Sequence, residues 1–240
     1  MSEPKTTSPA GSPEPAHPDR GYARQLDRVR ERLLYMAGRV EAMIADSTRA
    51  LRTRDADLAR RVVEADAAVD AEEQAIDEHC LHLLALRQPK ARDLRFITRA
   101  MKMVTDLERI ADLAASIAGR SLRLIEVEPL AVEKHLPGLA QVVQSMVNDA
   151  IDAFVRGDAR LAWAVIAQDD VVDVRYHTYL RATLSWMMTD PTRVEVGVDL
   201  QAVGKSFERM ADHATNLAEQ VVYLVEATDV RHREVRHREP

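Results

Sequence analysis

Long stretches of the chain repeat apolar residues every three or four positions. The clearest of these stretches are residues 26–51, 58–83 and 200–224. This spacing places the apolar side chains on one face of an α-helix. No comparable alternation of apolar and polar residues, the pattern typical of a β-strand, occurs along the chain. The sequence therefore predicts an all-α protein.

Prolines separate the apolar stretches from one another. Between the two terminal segments they stand at positions 89, 129, 137 and 191, and proline is tolerated at a helix start but disrupts a helix interior. Asp55 and Asp158 are suitable N-cap residues. The pattern predicts six long helices over residues 22–52, 55–86, 91–125, 135–156, 158–189 and 194–227.

An internal repeat determines the predicted architecture. A shift of 103 residues lays residues 43–70 on 146–173 with eleven identities in 28 positions, and a shift of 100 residues lays residues 108–118 on 208–218. Repetition of this kind is typical of a duplicated structural unit. We therefore predict two tandem, sequence-related three-helix bundles with short turns, the first over residues 22–126 and the second over residues 127–230.

The two ends of the chain differ in composition from the rest. Residues 1–21 contain five prolines among Ser, Thr and Gly, and residues 231–240 alternate Arg and His with Glu and Val. Neither segment carries enough apolar side chains to form a packed helix face. The sequence predicts a disordered N-terminal tail and a flexible C-terminal tail.

Charge and cysteine content exclude several classes of protein. The chain has 33 basic and 39 acidic residues, a net charge of −6, which disfavours nucleic acid as a partner. Cys80 is the single cysteine, so no intrachain disulfide can form. No apolar run reaches the roughly 20 residues that span a bilayer, and the N-terminus lacks the order of a signal peptide. We expect a cytoplasmic protein.

Sequence motifs of the common enzyme classes are absent. The chain has neither a Gly-rich phosphate-binding loop nor a Gly-x-Ser-x-Gly nucleophile elbow, and it contains only eight glycines. We therefore predict no catalytic residues and no enzymatic activity.

The repeat also preserves pairs of carboxylates spaced four residues apart. They are Asp66 with Asp70 and Glu108 with Asp112 in the first copy, and Asp169 with Asp173 and Glu208 with Asp212 in the second. This spacing puts both carboxylates of a pair on one helical face, where like charges repel by about 0.2–0.5 kcal/mol. Pairs on adjacent helices could converge on a cation, and oxygen ligands suit Mg, Ca, Mn or Fe. The sequence therefore offers eight candidate metal ligands.

The alternative interpretation is that these carboxylates are ordinary surface charge. Lys205 can pair with Glu208, and Arg109 can pair with Asp112, at a spacing of three residues. In contrast, Asp66, Glu108 and Asp169 have no basic residue at helical spacing.

The second-rank metal candidates are Asp46 and Asp149, which are repeated on the first helix of each copy, and His213, which follows Asp212.

Two segments resemble the paired signature of the PhoU family. They are Leu-Glu-Arg-Ile-Ala-Asp at residues 107–112 and Phe-Glu-Arg-Met-Ala-Asp-His-Ala-Thr-Asn-Leu-Ala-Glu at residues 207–219. Arg-Gln-Pro at 87–89 and Asp-Leu-Arg at 93–95 resemble the usual link into the third helix of that family. The resemblance extends over about residues 22–232. The first copy has Leu113 and Ser116 where the second has His213 and Asn216, so the two copies are not chemically equal.

This resemblance implies a negative regulator of phosphate uptake and phosphate-regulon signalling. It implies an adaptor, commonly a homodimer, between the ATPase component of the phosphate ABC transporter and the phosphate sensor histidine kinase. It further implies multinuclear metal clusters of Fe, or of Mn, Mg, Zn or Ca, at the eight carboxylates named above. The alternative function is a metal-storage or oxidase bundle, which needs core-facing Glu-x-x-His ligands, and Glu14 with His17 falls in the proline-rich tail.

Overall fold

Six α-helices account for nearly all of the computed structural model, which describes residues 20–87 and 89–227. The helices are α1 (Arg20–Thr53), α2 (Ala56–Arg87), α3 (Ala91–Arg123), α4 (Leu136–Arg156), α5 (Ala159–Met188) and α6 (Val194–Glu226). Two short 3₁₀ helices, Ala131–His135 and Pro191–Arg193, precede α4 and α6. The described residues contain no strand, and the all-α prediction is confirmed.

The helices pack as two three-helix bundles. Helices α1, α2 and α3 contact one another, as do α4, α5 and α6, and the bundles meet mainly through α3 with α6 and α1 with α4. A continuous core of aliphatic residues runs through both bundles. The predicted pair of tandem three-helix bundles is therefore confirmed. None of the described helices is long and apolar enough to cross a membrane.

The same local signals end α1 and begin α2 in one bundle, and end α4 and begin α5 in the other. The Asp55 carboxylate accepts a hydrogen bond from the Leu58 amide at 2.9 Å, and the Asp158 carboxylate accepts one from the Leu161 amide at 3.0 Å. Both predicted N-caps are thus confirmed. The residue before each cap is left-handed, with φ of 55° at Arg54 and 62° at Gly157.

The observed helix bounds differ from the predicted ones by a few residues. Helix α1 begins at Arg20 rather than at residue 22, and α3 ends at Arg123 because the Leu124 amide turns back to Arg120 O and Ser121 O. Helix α4 begins at Leu136, after the 3₁₀ helix, and accommodates Pro137 in its first turn. The two predicted tails lie outside the described residues, apart from residues 20 and 21, which belong to α1.

The contacts between α3 and α6 follow the internal repeat. Near one end of this interface, Arg99 donates to the Gln220 side chain at 2.8 Å, and its guanidinium lies 3.6 Å from the centre of the Tyr223 ring. Near the other end, Arg120 donates to Asp199 at 2.9 Å. Positions 99 and 120 correspond to 199 and 220 under the shift of 100 residues. The Arg99–Gln220 and Asp199–Arg120 contacts are therefore related by a pseudo-twofold axis between the bundles. The positions are equivalent, but the residue types at them differ.

Candidate functional site

In the first bundle, the predicted carboxylate pairs face each other across α2 and α3. Burial raises the pKa of Asp66 to about 6, and the negative charges of Asp112 and Asp70 raise it further. Asp66 and Asp70 lie on α2, whereas Asp112 lies on α3. The charge of Asp112, on the opposite helix, acts on Asp66, so the two pairs lie on neighbouring helices within electrostatic reach of each other.

Glu108 has the most strongly raised carboxyl pKa of this group. Burial raises its pKa to about 7, Asp112 adds to the shift, Arg109 opposes it, and Glu73 and Asp70 add smaller contributions. Glu73 is a residue that the sequence analysis missed. It lies seven residues after Asp66 and therefore on the same face of α2, which was the available signal. Its carboxylate accepts a hydrogen bond from the Thr105 hydroxyl at 3.3 Å.

Two buried oxygen atoms of this group lack hydrogen bonds. Asp66 Oδ1 and Glu108 Oε2 accept none from the residues that the structure describes. Arg109 Nε does approach Glu108 Oε2 at 3.3 Å, and Arg109 Nη1 lies 3.1 Å from Asp112 Oδ2. The Arg109–Asp112 pairing is thus confirmed. Glu108 has no basic residue at helical spacing, and its cation is instead the adjacent Arg109, whose long side chain turns back along the helix to the residue that precedes it.

The second bundle repeats this arrangement on α5 and α6. Burial raises the pKa of Asp169 to about 6, with further contributions from Asp212 and Asp173, and the Thr215 hydroxyl lies 3.5 Å from Asp169 Oδ1. Burial also raises the pKa of Asp212, and Glu208 adds to this shift. The two predicted pairs therefore face each other here as well, although Asp173 and Asp212 are more exposed than their counterparts in the first bundle.

A lysine is part of the second group and has no counterpart in the first. Lys205 Nζ lies 2.5 Å from each carboxylate oxygen of Glu208, which confirms the predicted pairing. The same ammonium lies 5.5 Å from the centre of the Tyr176 ring. Under the repeat, Lys205 corresponds to Thr105 and Tyr176 corresponds to Glu73. The second bundle therefore has a cation and a phenol where the first has a hydroxyl and a carboxylate.

The second-rank candidates on α1 and α4 make contacts within their own helices. Asp46 forms an ion pair with Arg49 at 2.8 Å. Asp149 accepts a hydrogen bond from the Ser145 hydroxyl at 3.3 Å. Local partners of this kind are typical of helix-surface carboxylates.

His213 is engaged at the contact between the bundles. Its Nδ1 lies 2.9 Å from Asp106 Oδ1, and the Asn216 amide donates to the same oxygen at 3.2 Å. Asp106 lies on α3, whereas His213 and Asn216 lie on α6. His213 and Asn216, which replace Leu113 and Ser116 of the first signature segment, therefore contact Asp106 of the first bundle.

The residue types in both groups fit a cation, although the side chains are not gathered around one point. Carboxylate oxygens are the usual ligands of Mg, Ca, Mn and Fe, and buried oxygens without hydrogen bonds are the atoms that a cation would satisfy. Within residues 20–87 and 89–227, no three or more His, Cys, Asp or Glu side chains are placed to hold a metal ion. Binding would require these side chains to turn toward one another.

Two repeated three-helix bundles with facing carboxylate pairs define a duplicated, acidic helical-bundle protein. The PhoU domain matches residues 33–121 and 136–221, one segment in each bundle. The chain belongs to the PhoU family.

Individual relatives cover most of the chain. The phosphate-specific transport system accessory protein PhoU homolog of Pseudomonas aeruginosa is 42% identical over 217 residues, which is 90% of each protein. The crystal structure of PhoU from Pseudomonas aeruginosa superposes with a TM-score of 0.84 at 41% identity and covers 86% of this chain and 100% of its own. The phosphate transport system regulatory protein PhoU from Streptococcus pneumoniae superposes with a TM-score of 0.81 at 28% identity, covering 87% of this chain and 99% of its own.

Proposed function

We propose that this protein is a negative regulator of phosphate uptake and of phosphate-regulon signalling. Its membership of the PhoU family supports this role, since relatives are accessory and regulatory proteins of phosphate transport. In this proposal the protein is an adaptor rather than an enzyme. It binds the ATPase component of the phosphate ABC transporter and the phosphate sensor histidine kinase, and it restrains the kinase when phosphate is plentiful.

The arrangement of the helices supports an adaptor with two partners. The main contacts between the bundles are made by α3 with α6 and by α1 with α4. Helices α2 and α5 therefore keep long outer faces, each about 45 Å in length. These two faces are related by the repeat but differ in sequence, so they suit two different partner proteins.

We further propose that the carboxylates hold metal clusters, as the family resemblance implies. The residues that would bind the metal are Asp66, Asp70, Glu108 and Asp112 in the first bundle, and Asp169, Asp173, Glu208 and Asp212 in the second. A bound cation would neutralise these carboxylates and bridge α2 with α3 or α5 with α6. The described helices contain no Glu-x-x-His sequence, which is the ligand pattern that the metal-storage alternative needs.

The same proposal places the protein in the cytoplasm as a homodimer. It reaches the membrane only through its partners and does not bind nucleic acid, in accord with its net charge of −6.

The test is capture of the two partners on the purified full-length protein. Solubilised membranes that contain the phosphate transporter and the sensor kinase are passed over the immobilised protein, and a phosphate-regulon reporter is measured in cells that lack the gene. We expect both partners to be retained, and we expect the protein to restore repression at high phosphate. Retention of neither partner together with failure to restore repression would contradict the proposal.

Matched variants test the use of two faces. Val63 on α2 is 42% exposed and Val174 on α5 is 68% exposed, so each can be changed to Lys without disturbing the core. V63K and V174K should each weaken retention of one partner and leave the other unchanged. If both variants weaken the same partner, the two-face arrangement is wrong while the regulatory role stands.

A further inference from the structure

We propose that the two carboxylate groups are unequal, with Lys205 acting as a built-in counter-ion of the second, so that metal binds preferentially at the first. This inference rests on the metal binding proposed above. The first cluster comprises Asp66, Asp70, Glu73, Glu108 and Asp112. The second cluster comprises Asp169, Asp173, Glu208 and Asp212. In this proposal Glu73 is an additional ligand of the first cluster.

The position of Lys205 supports this assignment. Its ammonium lies 2.5 Å from both oxygens of Glu208, so it occupies the side of that carboxylate on which a metal ion would bind. A metal ion at Glu208 would have to displace this ammonium, and the two cations would repel each other at short range.

Among the described residues, the cation of the first cluster is Arg109, which is held less closely than Lys205 is held in the second. Thr105 occupies the position of Lys205 and donates a hydrogen bond to Glu73 at 3.3 Å. Arg109 Nε lies 3.3 Å from Glu108 Oε2, whereas Lys205 Nζ lies 2.5 Å from Glu208 Oε2, and the two basic side chains are similarly exposed, at 54% and 44%. The longer contact of Arg109 is the one that a metal ion would replace more easily.

The position of Glu73 adds a further difference between the two clusters. In the second bundle the equivalent residue is Tyr176, which is buried and accepts a hydrogen bond from the Gln201 side chain at 3.1 Å. The first cluster thus has five carboxylates and one exposed arginine, whereas the second has four carboxylates and one closely paired lysine. More uncompensated negative charge and more oxygen donors both favour a divalent cation at the first cluster.

The test measures Mn²⁺ binding to the full-length, chelator-treated protein by calorimetry, with bound metal counted by elemental analysis. We expect D66N/E108Q to remove the tighter binding and D169N/E208Q to leave it unchanged. K205T should strengthen binding at the second cluster about tenfold or more, and E73Q should weaken binding at the first. The exchange variant T105K/K205T should move the tighter site to the second bundle. The control is K102T, which changes an exposed lysine on α3 and should leave Mn²⁺ binding at both clusters unchanged.

The outcomes separate this inference from the proposal on which it rests. If neither the wild-type protein nor K205T binds Mn²⁺, metal binding itself is wrong. If D66N/E108Q and D169N/E208Q reduce binding equally, or if K205T gives no gain at the second cluster, metal binding stands and the inequality of the clusters is wrong. Helix content by circular dichroism and the melting temperature of each variant show that the fold is intact.

Discussion

Arg54 donates a hydrogen bond to Glu133 at 2.7 Å across the connection between the bundles, and both side chains are nearly buried. The same guanidinium donates to Leu51 O at 2.7 Å and to Val127 O at 3.0 Å. Arg54 has a left-handed backbone with φ of 55°, and its equivalent in the second bundle is Gly157. A left-handed conformation costs a non-glycine residue about 1–2 kcal/mol. The three side-chain contacts offset this cost and tie the end of α1 to the second bundle.

Replacing Arg54 with Gly should destabilise the protein, although glycine adopts the left-handed backbone conformation without strain. The variant gains about 1 kcal/mol from the glycine but leaves the Glu133 carboxylate nearly buried without its partner, which costs about 3–5 kcal/mol. We expect a net loss of about 2–4 kcal/mol in the free energy of unfolding, measured by urea denaturation. The double variant R54G/E133Q should recover part of this loss, and a wild-type stability for R54G would contradict the role of the ion pair.

Gly204 and Tyr179 should behave as a coupled pair in the core of the second bundle. A Cβ atom at Gly204 would overlap the Tyr179 ring, whose hydroxyl donates to Leu200 O at 2.7 Å. Overpacking of this kind costs about 1–3 kcal/mol, so G204V should lower the melting temperature. The first bundle has Val104 and Ile76 at the equivalent positions, and both are buried. The exchange variant G204V/Y179I should therefore be more stable than G204V alone, as thermal unfolding will show.

Stability of the metal-free protein should fall as pH rises from about 4 to about 7. The pKa is raised to about 7 at Glu108 and to about 6 at Asp66 and Asp169, mainly by burial. These values lie above the ordinary carboxyl range, so the native state binds more protons than the unfolded state between about pH 4 and 7, and deprotonation favours unfolding. Urea denaturation with a chelator present measures this slope.

The variant D66N/E108Q is the matched test of that pH dependence. It removes two of the three carboxyl groups, so its slope between about pH 4 and 7 should be flatter than that of the wild-type protein, and its stability at the upper end should be higher. An unchanged slope in this variant would show that other titratable groups determine the pH dependence of stability.

Loss of the Asp199 carboxylate should weaken the contact between α3 and α6. Asp199 is 13% exposed, and Arg123 and Arg120 both donate to it and hold its pKa below the ordinary value. Hydrogen bonds between charged groups contribute about 1.5–3 kcal/mol, so D199N should lower the free energy of unfolding by about 2 kcal/mol. D152N, which breaks the exposed pair with Arg156, should cost less than about 0.5 kcal/mol. Equal losses in the two variants would contradict this account.

Most of the fold could be predicted from the sequence because its signals are local or repeated. Apolar spacing marks the buried face of each helix, and the Asp55 and Asp158 carboxylates cap their own helices within three residues. The internal repeat then shows that the six helices form two similar bundles. The predicted helix ends were less accurate. The turn after α3 and the 3₁₀ helix before α4 are formed by backbone hydrogen bonds, which the residue types in these segments do not indicate.

The candidate site could be predicted only in part. Spacing within one helix identified Asp66 with Asp70 and Glu108 with Asp112. It did not identify Glu73 as a member of the first cluster. The contacts that make Glu73 a member, with Thr105 and Glu108, cross from α2 to α3 and depend on how the two helices pack.

The sequence by itself determined the six helices, their duplication and the faces on which the carboxylates lie, because each of these depends on periodicity along one chain. Only the tertiary structure decided which side chains meet across helices. His213 contacts Asp106 of the other bundle, and Lys205 closes on Glu208 where the first bundle has Thr105. Such contacts depend on how two packed helices are rotated about their axes, and residues far apart in the chain set that rotation together.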